Sequence, residues 1–176
     1  MKNKIDYKWI IKVVIVAFVL ACFFTLISET IVPNINIFLG IIITILIVLI
    51  GVCFDMIGVA VTTASEKPFH SMASKKIKGS KTSIWLIKNA DKVSSFCCDV
   101  VGDICGIISG STGAVIALTI HNKLHINSLL ITIIIMALIS TLTIGGKAVE
   151  KSIAINNSEK IVKCVSNIIS LIKREK

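Results

Sequence analysis

The chain has 176 residues, 55% of them hydrophobic, with a mean hydropathy of +0.90 and a formal net charge of +9. So apolar a composition lies well above that of an ordinary soluble domain and moves the expectation to the membrane class. The basic residues are spread over three segments that flank apolar stretches. They are therefore expected to meet the anionic headgroups of a lipid bilayer and not nucleic acid.

The first apolar stretch, about Trp9 to Ser28, follows Lys2, Lys4 and Lys8 and is interrupted only by Lys12 at its edge. No small-x-small cleavage site leads from it into a polar mature domain, so it reads as a membrane span and not as a signal peptide. Pro33 and Asn34 then predict a short outside turn. The second span is expected over Ile37 to about Ser65, because 25 residues between Glu29 and Asp55 carry no Lys, Arg, Asp or Glu. As a helix that run crosses about 30 Å of hydrocarbon. Past Pro68, apolar Phe69, Met72, Ile77, Ile84, Trp85 and Ile87 are interleaved with lysines, and Gly79 and Ser80 interrupt the middle. This predicts a basic amphipathic helical hairpin over 66–93 lying at the cytoplasmic interface.

The third span, roughly Ser94 to Ile120, carries Asp99 and Asp103 in its first half, and a turn is expected at His121 to His125. The fourth occupies the 23 uncharged residues between Lys123 and Lys147 and is expected to end at Gly145 and Gly146. From Ser158 and Glu159 onward, Ile161, Val162, Val165, Ile168, Ile169 and Ile172 recur at three- and four-residue spacing. That pattern predicts an amphipathic juxtamembrane helix. The expected fold is thus an all-α membrane protein with four transmembrane helices, the interfacial hairpin and the C-terminal amphipathic helix. It divides into an N-terminal span (1–34), a three-helix core (35–155) and the juxtamembrane segment with its basic tail (156–176).

Lys and Arg near span ends are retained on the cytoplasmic side. Four lysines precede or edge the first span, seven lie between the second and third, and seven basic residues follow the fourth, which leaves only Lys123 for the outside turns. This predicts a multi-pass protein of the cell membrane with both termini cytoplasmic. None of the cysteines (Cys22, Cys53, Cys97, Cys98, Cys105, Cys164) falls in an outside turn, so they read as small packing residues and not as disulfides or a metal centre.

A carboxylate within the bilayer costs at least a few kcal/mol, so intramembrane acids are candidate functional residues. Asp55, Asp99 and Asp103 qualify, and a four-residue spacing places the last two on one α-helical face. Lys147 and Glu150 share a face at the cytoplasmic end of the fourth span. If those faces converge, Asp55, Asp99, Asp103 and Glu150 form an oxygen-only metal site suited to Mg²⁺ or Na⁺, with Lys147 as an ion-pair modulator.

Three stretches in register resemble the transmembrane domain of the CorB/CorC (CNNM-type) magnesium transporter family: Phe54-Asp55-Met56-Ile57-Gly58-Val59-Ala60-Val61, Cys97-Cys98-Asp99-Val100-Val101-Gly102-Asp103, and Gly146-Lys147-Ala148-Val149-Glu150-Lys151-Ser152-Ile153-Ala154. The resemblance, over about 120 residues, implies binding or movement of a divalent cation and pairing into a homodimer. Where the family uses a serine, an asparagine and a glutamate to hold dehydrated Mg²⁺, this chain has Asp55, Asp99 and Lys147. The family's cytosolic CBS pair has no counterpart in the sequence, and the span from Trp9 to Ser28 is additional. The alternative reading is an accessory or scaffold membrane protein in which aspartates and Lys147 form internal ion pairs. An enzyme is not expected, because no nucleophile, base and orienting group fall together.

Overall fold

The computed structural model describes residues 7–31, 35–124 and 127–172. The turn expected at Pro33 and Asn34, position 125 of the second turn, and both chain ends lie outside the described residues. The helices are α1 (Tyr7–Ile31), α2 (Ile37–Thr63), α3 (Lys67–Ser74), α4 (Ser80–Lys88), α5 (Ala90–Ser94), a π-helical segment π1 (Ser95–Gly102), α6 (Asp103–Leu124), α7 (Ser128–Asn156) and α8 (Ser158–Ile172). Among the described residues four helical stretches are long and apolar enough to cross a membrane: Ile10–Thr30, Ile37–Thr63, Ala90–Lys123 and Ser128–Asn156. The chain is all-helical with four candidate spans, the make-up of a multi-pass membrane protein.

Local chemistry sets the helix starts. The Phe38 amide donates to Asn36 Oδ1 (3.3 Å), and the Leu129 amide donates to Asn127 Oδ1 (3.1 Å), so an asparagine caps each of α2 and α7. The expected stop at Gly145 and Gly146 does not occur: α7 continues to Asn156. Glycine inside a helix costs only about 1 kcal/mol relative to alanine, which the surrounding run of good helix formers absorbs.

The described chain forms two compact units, the first comprising Met1–Gly51 with Asp103–Thr143 and the second Val52–Gly102 with Ile144–Lys176. In the first, α1 packs on α6. Thr112 directs its hydroxyl proton to the Ile108 carbonyl (2.8 Å), which leaves Ser28 as the donor in the buried 2.7 Å bond between Ser28 Oγ and Thr112 Oγ1. Thr44, Thr119, Thr132 and Thr143 likewise donate to carbonyls one turn back, which satisfies hydroxyls that hydrocarbon would leave unpaired. A cavity of about 300 Å³ in this unit is lined by apolar side chains of α2, α6 and α7, among them Val48, Ile116 and Ile139, with Thr44. Thr44 is the one polar residue in an otherwise aliphatic lining, so the cavity offers little to a cation.

The second unit has its own core of Ala60, Val61, Phe69, Leu86, Ala154 and Val162. α4 packs on α8, burying Ser80, Ser83 and Leu86 from one helix and Val162, Ser166 and Ser170 from the other. The small serines let the two backbones approach closely. Gly79, at φ +79°, turns the chain into α4, and a Cβ there would lie 2.5 Å from Asn167 Oδ1 on α8. Only glycine meets both the backbone and the spacing requirement.

Candidate functional site

The candidate site residues of the second unit come from the C-terminal half of α2, from π1, and from the last third of α7. Asp55 lies on α2 and is 5% exposed, and Glu150 on α7 is also 5% exposed. Lys147, one turn before Glu150, sets its Nζ 2.6 Å from Asp55 Oδ2. Asp55 Oδ1 and Glu150 Oε2 are both buried and have no hydrogen-bond partner. Glu150 lies in the electrostatic field of Asp55, Lys147 and Lys151, the last of these exposed. The grouping is therefore two buried carboxylates and one ammonium.

π1 shapes the wall facing Asp55. Its i→i+5 bonding widens the turn relative to an α-helix, and Cys97, Val100 and Gly102 are its buried residues. Cys98 Sγ donates to the Asp55 carbonyl (3.7 Å) and stands against Gly58. A Cβ on Gly102 would lie 2.7 Å from Asp55 Oδ1 and 3.2 Å from its Cγ, so the glycine leaves room for the carboxylate.

Of the four expected cation ligands, Asp55 and Glu150 come into one group with Lys147. Asp99, on π1, is exposed and accepts a 2.7 Å hydrogen bond from Ser95 Oγ. Asp103, the first residue of α6, is exposed and belongs to the first unit. Among the described residues no three His, Cys, Asp or Glu side chains stand close enough together to hold a metal ion. Within the second unit the carboxylates that act on each other are thus Asp55 and Glu150.

Lys147, expected as an ion-pair modulator, pairs with Asp55. Gly102 and Cys98 were missed as parts of the site. The available signal was Gly102 itself, a residue without a side chain in the stretch that carries Asp99 and Asp103. The chain matches no protein-family model, no curated protein and no solved structure.

Proposed function

We propose that this chain is a multi-pass membrane protein that binds a hard cation at the buried carboxylates Asp55 and Glu150, with Lys147 offsetting part of their charge. One observation carries the reading: each carboxylate is 5% exposed and keeps an oxygen without a hydrogen bond, Asp55 Oδ1 and Glu150 Oε2. A buried acceptor left in that condition costs about 1–3 kcal/mol, and more when charged, unless something occupies it. Carboxylate oxygens favour hard cations such as Mg²⁺ or Na⁺. In this reading the basic hairpin of α3, α4 and the lysine-bearing turn between them, together with the amphipathic α8, lies at the cytoplasmic headgroup layer, the termini are cytoplasmic, and the protein works as a homodimer.

The test is the thermal unfolding midpoint in detergent as a function of added cation. A ligand that binds only the folded state raises the midpoint with the logarithm of its concentration. The expected result is such a rise for the wild-type protein and its loss in Glu150→Gln, which keeps the shape and removes the charge. A midpoint indifferent to every cation would overturn the reading.

A second reading is favoured by the 2.6 Å contact between Lys147 and Asp55. Here the chain is an accessory or scaffold protein whose own ammonium takes the place of a bound ion and ties α7 to α2. It requires Lys147→Met together with Asp55→Asn to leave a folded protein with its biological role intact, whereas the cation reading requires that double variant to lose function.

A further inference from the structure

We infer that the Asp55–Glu150 site takes a single monovalent cation and discriminates against divalent ones, and that Lys147 sets this valence. The inference rests on the cation reading above and deepens it. With both carboxylates ionised, Asp55 and Glu150 contribute two negative charges, and the Lys147 ammonium, 2.6 Å from Asp55 Oδ2 on a side chain that is 36% exposed, contributes one positive charge beside them. Lys151 also acts on Glu150, but it is exposed and its charge is screened by solvent. The sum over Asp55, Glu150 and Lys147 is then one negative charge. A monovalent cation brings it to zero, whereas a divalent ion leaves an uncompensated positive charge where charge is costly.

The donor count points the same way. The oxygens left over are Asp55 Oδ1 and Glu150 Oε2. Mg²⁺ requires near-octahedral coordination and keeps several of its waters when one or two carboxylates hold it, and two residues each only 5% exposed leave little room for that water. Gly102 matters here too. A Cβ there would stand 2.7 Å from Asp55 Oδ1, so the glycine keeps uncovered the oxygen that a cation would use.

The test is a series of unfolding midpoints at constant ionic strength, with choline chloride exchanged for NaCl, KCl or MgCl₂. The wild-type midpoint is expected to rise linearly with the logarithm of Na⁺ or K⁺ concentration and to stay within error for Mg²⁺. Glu150→Gln removes the single charge in excess and is expected to abolish the response. Lys147→Met leaves two unbalanced carboxylates and is expected to acquire a Mg²⁺ response that the wild type lacks. Should Lys147→Met fail to fold, the wild-type series decides alone. A wild type stabilised by Mg²⁺ at lower concentration than by Na⁺ or K⁺ would overturn the monovalent assignment while leaving the cation reading intact. A wild type that responds to no cation would overturn both. A folded Lys147→Met that keeps the wild-type preference would overturn the role given to the lysine.

Discussion

Lys147 and Asp55 are coupled unequally with respect to solvent: the lysine side chain is 36% exposed and the aspartate side chain 7%. Removing the lysine strands the buried carboxylate, whereas neutralising both leaves no charge to strand. Breaking a buried pair costs about 3 kcal/mol, the lower end of the usual range given the partial exposure of Lys147. Lys147→Met should therefore destabilise more than Lys147→Met combined with Asp55→Asn, and chemical denaturation of the single and double variants measures the difference. Additive effects would mean that the two charges do not act on each other. Glycines give a sharper contrast on the same scale. Gly102→Ala would place a Cβ against the Asp55 carboxylate and is expected to destabilise, while a Cβ at Gly106 meets open space and should raise stability by up to about 1 kcal/mol through helix propensity. Equal effects at the two positions would show that Gly102 does not border the carboxylate.

At the scale of elements, the turn from α3 into α4 depends on Gly79, whose positive φ and whose closeness to Asn167 both exclude a side chain. Gly79→Ala should cost about 1–2 kcal/mol from the backbone alone, with further loss as α4 is pushed from α8. Hydrogen exchange of the α8 amides should report that separation, and unchanged protection would contradict it. The elements themselves were largely legible in the sequence, for a physical reason. Charge-free runs such as the one from Thr30 to Phe54 leave few alternatives to a membrane helix, and the 3–4 spacing from Ile161 to Ile172 marks an amphipathic one. Helical phase stayed hidden. A π-helical stretch over Ser95–Gly102 has no signature in residue type, and neither does the exposure of Asp99 within it. Hence the candidate residues Asp55, Glu150 and Lys147 could be read from the sequence, but not the exclusion of Asp99 from their group. The length of α7 was misjudged for a related reason, since Gly145 and Gly146 resemble a stop unless residues 147–156 can hold the helix.

At the scale of the whole molecule, α2 and α7 have 27 and 29 residues, about 40 and 43 Å at 1.5 Å per residue, more than a hydrocarbon core of about 30 Å needs. Asp55 is the nineteenth residue of α2 and Lys147 the twentieth of α7, so each helix has covered about 27–29 Å before its first charge appears. The charged group is thus expected at the inner hydrocarbon boundary, where dielectric screening is weaker than in water and a small cation can still arrive. Cysteine-accessibility labelling in intact cells should find position 78 protected from external reagent and position 122 labelled; external labelling at 78 would reverse the topology and place the carboxylates at the other face. The measurement that bears most directly on the central claim is infrared difference spectroscopy of the reconstituted protein as cation is added. Cation binding by Asp55 and Glu150 predicts a change in the carboxylate stretching bands that saturates with concentration and is lost in Glu150→Gln. A difference spectrum without carboxylate bands, or one unchanged in Glu150→Gln, would contradict it.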